Sequence, residues 1–269
     1  GQAPGADEPP APFGRSKSVT EEILATSKLS RSFGGVHAVR EVSLGVPKGQ
    51  LRAIIGPNGA GKTTLFNLLT GQLPCDSGRI FFKGADITGL PPHYLCRHGL
   101  ARTFQINSIF LSATVRENVQ LALLANRGKT WNPLASARRL MLRETDELLE
   151  RLGLADQADK AGSALSYGDR RRLEMALALA CRPELLLLDE PTSGMSLSEK
   201  PSLVQLIQSI VKEKSVTTVL IEHDMDVVFS VSDRITVMHQ GAVIAEGAPG
   251  EIQANPRVQE VYLGEERRA

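Results

Sequence analysis

Two rhythms of apolar residues divide this chain into two kinds of segment. Residues 51–55 (LRAII) and 185–188 (LLLL) are short apolar runs, and 216–221 (VTTVLI) is a third of the same type. Runs of this length mark strands covered on both faces, as in a parallel sheet. The first run ends at Gly56; after a glycine-rich stretch, residues 62–70 read as a helix that Gly71 closes just past its last turn. From residue 91 to 182 the pattern changes to helices with few strand signals. Thr114 with Glu117, and Ser166 with Asp169, fit the Ser/Thr-x-x-Asp/Glu capping box that starts a helix. Near the end, apolar-rich residues 234–238 and 242–246 flank Gln240-Gly241, a β-hairpin signal. The expected architecture is an α/β core with a buried parallel sheet, an antiparallel β part and a helical subdomain inserted at about 91–182.

Composition narrows the class. At 269 residues and 42% hydrophobic content the chain can bury a sizeable core. Its 31 basic and 30 acidic residues leave a formal charge of +1, so no net field draws it to nucleic acid or an anionic membrane. The longest unbroken apolar run, 175–181, is seven residues, against roughly 20 for a membrane-spanning helix. Three cysteines without C-x-x-C spacing fit neither a disulfide framework nor a thiolate metal site, and buried thiols in a reducing compartment are expected. Residues 1–20, with Pro4, Pro9, Pro10 and Pro12 among small and acidic residues, read as a disordered tail. The folded domain is then 21–265.

The glycine-rich stretch carries the chemistry. Residues 56–64 read GPNGAGKTT, a full match to G-x-x-x-x-G-K-S/T, in the strand–loop–helix context that motif requires. Such a loop, here Gly56, Pro57, Asn58, Gly59, Ala60, Gly61, Lys62, Thr63 and Thr64, turns backbone N–H groups toward phosphate oxygens. Lys62 reaches the β- and γ-phosphates of ATP, and Thr63 offers its hydroxyl to Mg²⁺. At the end of the 185–188 run, Asp189 suits the magnesium-holding carboxylate and Glu190 the group that activates the attacking water. The triplet Arg170, Arg171, Arg172 reads as the solvated face of a helix, because no basic field surrounds it.

With ARTFQ at 101–105 and LSYGD at 165–169 between the phosphate loop and LLLLDE, and LIEHD at 220–224 after it, the chain resembles the ATP-binding subunits of ATP-binding-cassette transporters, over about residues 23–264. The resemblance implies a P-loop NTPase (RecA-like) core, ATP and Mg²⁺ as ligands, and a dimer, with a homo- or heteromeric partner cassette left open. Ser166 and the Gly168 amide, at the positive end of a helix, would close on the γ-phosphate held by the partner's loop. It also implies that His223 hydrogen-bonds the γ-phosphate and that Gln105 links the metal site to a transmembrane partner. Phe33 falls where the family stacks a ring on adenine, and a core position serves it equally well.

The stretches 99–123 and 241–264 resemble the ATPases of bacterial branched-chain amino-acid importers, the longer of that system's two ATP-binding subunits. This implies a peripheral place on the cytoplasmic side of the inner membrane, two permease subunits, and an extracytoplasmic solute-binding protein as indirect partner. Ser196 stands where many family members have an aspartate that communicates between sites, so it inherits no such role. A non-transport cassette acting on nucleic acid or ribosomes is the alternative, although its usual coiled-coil insertions or tandem cassettes are missing. A small GTPase would leave LSYGD unexplained and needs an N-K-x-D that the sequence lacks.

Overall fold

The computed structural model describes residues 22–103, 109–126, 137–214 and 216–266. The expected tail and Gln105 lie outside them. Strands β1 (Glu22–Phe33), β2 (Val36–Pro47), β4 (Ser77–Phe82) and β5 (Ala85–Asp86) form an antiparallel sheet in the order β2-β1-β4-β5. Strands β3 (Leu51–Ile55), β6 (Leu100–Arg102), β7 (Leu185–Asp189), β8 (Thr217–Ile221), β9 (Arg234–His239) and β10 (Ala242–Gly247) form the second sheet, ordered β10-β9-β3-β8-β7-β6. Every neighbouring pair in it is parallel except β9 and β10. These two are joined by Gln240 (φ 47°) and Gly241 (φ 79°), a two-residue turn in the left-handed region.

The unbroken apolar runs have the cause the pattern implied. In β7, Leu185 and Leu187 pack in the core between the two sheets, while Leu186 and Leu188 pack on the opposite face with the helices. In β8, Val219 and Ile221 face one way and Leu220 the other. Helix α1 (Lys62–Leu69) buries Leu65, Phe66, Leu68 and Leu69 in the inter-sheet core and ends at Gly71, whose φ is 69°.

The helical stretch holds α2 (Pro92–Arg97), α3 (Val115–Asn126), α4 (Ala137–Arg151) and α5 (Tyr167–Ala180), with α3 packed on both α4 and α5. The Thr114–Glu117 box is reciprocal: the Thr114 N–H donates to Glu117 Oε2 at 2.9 Å and the Glu117 N–H to Thr114 Oγ1 at 3.1 Å. One element departs from the expected pattern. Strand β6 is an edge of the main sheet, paired with β7. Three residues are too few to show a period, and Gly99 at φ 95° turns the chain into it, its carbonyl accepting from the Glu184 and Leu185 amides. The remaining helices are α6 (Lys200–Lys214), which buries Leu203, Ile207 and Ile210, α7 (Met225–Val231), α8 (Pro249–Gln253) and α9 (Pro256–Glu266). The thiols are half-buried rather than fully buried, and those of Cys96 and Cys181 lie 2.8 Å apart.

Candidate functional site

Parallel pairing brings four strand ends together. Side by side in the order β3, β8, β7, β6, the strands present their carboxyl ends at one edge, the usual place for a ligand in an open α/β sheet. From them extend, in turn, the phosphate loop, Glu222 with His223, Asp189 with Glu190, and Arg102. The register pairs Asp189 with Ile221 and Arg102 with Leu187, so residues far apart in sequence become neighbours across the sheet.

The loop at 56–64 is braced by backbone. Gly56 lies at φ 152° with the Met238 carbonyl 2.1 Å from where a Cβ would stand, and Gly61 at φ 98° with the Ala38 carbonyl 2.0 Å from that point. Gly59, at φ 78°, faces open space, and Asn58 and Thr63 are exposed. Pro57 and Ala60 are buried and Thr64 is half-buried. The Gly241 amide donates to Ala60 O at 3.0 Å, and the Arg40 amide to Gly241 O at 2.8 Å, so the hairpin turn and β2 clamp the loop from outside. Lys62 is buried, its Nζ donating to the carbonyls of Gly56 (2.5 Å) and Pro57 (3.0 Å), which draws the ammonium over the loop mouth. The result is a rigid concave run of amides at the N-terminus of α1, an anion site.

Opposite it, His223 Nε2 and Glu190 Oε1 share a hydrogen bond of 2.6 Å, the first side chain 44% and the second 26% exposed. Glu190 sits at φ 47°, an uncommon conformation for a residue with a Cβ; such strain collects at functional positions. Its amide donates to Ile221 O at 2.9 Å, fixing it to the end of β8. Buried Glu222 orders both turns around it. One oxygen accepts from the Thr192 amide (2.8 Å) and hydroxyl (2.5 Å), and the other from the His223 amide (2.9 Å). Asp224 caps α7, and the Lys200 ammonium at 2.6 Å holds its carboxyl below the usual carboxylate range.

At α5 the capping box is only half made. The Asp169 amide donates to Ser166 Oγ at 3.1 Å, but the Ser166 hydroxyl donates to Asp169 Oδ2 at 2.9 Å instead of leaving that carboxylate for the cap's own amide. Ser166 is exposed; Gly168 is buried, its would-be Cβ 2.8 Å from Glu199 Oε1. Ser196 gives both its amide (3.1 Å) and its hydroxyl (2.7 Å) to Glu199, which holds that carboxyl below its usual range. The arginine triplet is not a solvated face. Arg171 is buried, paired with buried Glu174 at 2.9 Å and bonded to Tyr167 Oη at 2.8 Å. Arg170 donates to Ser163 O and Arg172 to Ser202 Oγ. Phe33 is 45% exposed with the Arg31 guanidinium over its ring, so its core reading falls away.

Thr63 and Asp189 offer only hard oxygens, and the described residues hold no cluster of three metal-ligating side chains. A cation held there would need further oxygen donors from phosphate and water, a donor set that would suit Mg²⁺. The sequence reading missed Glu222, Gly241 and Arg102, none of which has a local signature; Gly241 was legible as a turn residue but not as a brace. Beside this edge runs an apolar cavity of about 440 Å³ between α2, β6, α3 and α5, with Phe110 and Leu121 exposed at its rim.

Comparison with known proteins agrees in sequence and in structure. The ABC transporter family matches residues 39–193, and a branched-chain amino acid ATP-binding cassette transporter family matches 242–268. A high-affinity branched-chain amino acid transport ATP-binding protein, BraF of Pseudomonas aeruginosa, is 43% identical over 92% of this chain and all of its own length. The corresponding protein LivG of Escherichia coli is 40% identical over the same shares. Among solved structures, the ADP conformation of an ATP-binding cassette of an ABC transporter superposes with a TM-score of 0.80 at 33% identity, over 91% of this chain and all of the other.

Proposed function

Because the chain belongs to the ABC transporter family, we propose that it is the ATP-hydrolysing subunit of a membrane importer for branched-chain amino acids. The observation that carries this reading is its full-length similarity to two ATP-binding proteins named for that transport, together with the match of its last β-strand and helices to the branched-chain family.

The residues divide the work by position. Loop amides and Lys62 bind the phosphates of ATP, and Thr63 and Asp189 hold the nucleotide's Mg²⁺. When bound, Mg²⁺ would supply charge neutralisation at the phosphate oxygens. Glu190 accepts the proton of the attacking water, and the short bond to His223 holds its carboxylate toward the phosphate side while the imidazole stands ready to contact the γ-phosphate. Phe33 stacks on the base. Ser166 and Gly168, remote from the loop in sequence, complete the site of a second cassette in a homo- or heterodimer. Gln105 reports the metal site to the membrane partner. No described helix is long and apolar enough to cross a membrane. The chain's likeness to transport ATP-binding proteins supports a peripheral subunit at the cytoplasmic face of the inner membrane. Two permease subunits dock on it, and a solute-binding protein outside delivers the cargo. The apolar cavity beside β6 supports that docking place, since exposed Phe110 and Leu121 are costly in water and suit a buried interface.

The test is uptake of labelled leucine by cells whose own importer is deleted and which carry this chain with its permease and binding-protein partners. Uptake that disappears with Lys62→Ala is expected. A chain that purifies without membrane proteins and instead binds nucleic acid in a salt-sensitive way would overturn the transport reading.

A further inference from the structure

Arg102, the last residue of β6, is half-buried, with its guanidinium turned inward over four oxygens. Nη2 donates to Asp189 Oδ2 at 2.6 Å, both side chains being less than a tenth exposed. Nη1 donates to Asn67 Oδ1 at 2.7 Å and Gln72 Oε1 at 2.9 Å, with Thr70 Oγ1 at 3.5 Å. The ring of Phe66 lies under the guanidinium carbon, 5.6 Å from its centroid. Asn67, Thr70 and Phe66 all belong to α1 or its last turn, and Gln72 follows it. The cation therefore has a seat of its own on the phosphate-loop helix, built without Asp189. In such an arrangement the arginine is the fixed member and the carboxylate the one that is oriented.

We propose that Arg102 is a positioning residue for the metal–nucleotide complex: anchored on α1, it fixes the Asp189 carboxylate through one oxygen and so presents the other to the cation. The inference rests on the reading of Asp189 as the metal-holding residue. A buried carboxylate without its partner is both poorly compensated and free to turn. The planar fork of arginine spans two directions at once, which a lysine ammonium on a flexible stem does not reproduce. The strut also ties α1 and the end of β7 to the strand that leads, three residues later, to Gln105.

An opposite effect is conceivable on the same geometry, since a cation next to a metal site repels the metal, and the experiment separates the two. Binding of a fluorescent ATP analogue to the purified chain is measured in EDTA and across a Mg²⁺ titration, for the wild type, R102M, R102K, N67A and D189N. R102M should raise the Mg²⁺ concentration for half-maximal enhancement of binding by about tenfold, the loss of one charge-assisted hydrogen bond. Binding in EDTA should stay within about twofold, because the loop amides and Lys62 are untouched. R102K should lie nearer to R102M than to the wild type. N67A, which removes one anchor and leaves the ion pair, should raise the requirement by about two- to threefold. It also carries the test if R102M does not fold. An unchanged or lowered Mg²⁺ requirement in R102M, or in N67A and R102K where R102M does not fold, overturns the inference. If D189N has the wild-type requirement, the Asp189 reading itself fails; if D189N loses the Mg²⁺ effect while the Arg102 variants keep it, only the role of Arg102 fails.

Discussion

The two segments proposed to meet phosphate are built differently. The loop at 56–64 is braced by backbone at both ends: glycines at 56 and 61 admit no Cβ, and the Gly241 turn and β2 press against it. The start of α5 is closed through side chains, the Ser166 hydroxyl meeting the Asp169 amide and carboxylate at an exposed helix end, with Gly168 set against the Glu199 carboxylate. A site that must grip a highly charged group as soon as it arrives has to be rigid beforehand, since ordering a loop at binding costs affinity. A surface that acts only when a second chain arrives can keep its donors occupied locally until then. The loop is a finished half-site and α5 an unfinished one, which is the structural reason for expecting a dimer.

Five variants test that contrast, beginning with the largest effect. Lys62→Ala should lower kcat/KM for ATP by about 10³-fold or more, because the loop loses the cation directed at the transferred phosphate. The thermal midpoint should hardly move, and near-normal hydrolysis by a folded variant would remove the loop from the site. Glu190→Gln should slow hydrolysis by about 10²–10³-fold while ATP still binds. Light scattering should then show an ATP-dependent dimer; a variant that binds ATP yet stays monomeric, alone and with the candidate partner cassette, would contradict the unfinished half-site.

The glycines sharpen the comparison further. Gly61→Ala forces a Cβ against a backbone carbonyl in a left-handed conformation and should cost about 3 kcal/mol of stability. Gly168→Ala meets only the end of a side chain and gains helix propensity, so chemical denaturation should find it within about 1 kcal/mol of the wild type. Equal losses at the two positions would erase the distinction drawn here. Ser166→Ala, which removes a helix cap, should cost about 1 kcal/mol. Its ATP affinity as a monomer should be unchanged, and its ATP-dependent dimerisation in the Glu190→Gln background weakened.

Where a residue's role is local, the sequence disclosed it. The loop glycines and Lys62 are fixed by spacing, the strands at 51–55 and 185–188 by short apolar-rich runs, and the cap at Thr114 by its partner three residues on. Strand β6 escaped because three residues carry no period, and the Arg171 pair because a charged residue on a helix reads as solvated until its neighbours are known. Phe33 could be read two ways until its exposure was known.

The sequence alone determined that there is a phosphate loop, a carboxylate pair at the end of a buried strand and a helix beginning at Ser166, because each is set by the dihedral freedom, hydrophobicity or capping chemistry of adjacent residues. Tertiary structure decided the strand order β3-β8-β7-β6, and with it everything that acts across the sheet. It sets His223 on Glu190, Glu222 under both turns, Gly241 against the loop and Arg102 on Asp189. Those contacts join residues up to 181 positions apart, Ala60 with Gly241 being the widest. No local preference encodes such a pairing; it arises when burial of the apolar faces fixes which strands lie side by side.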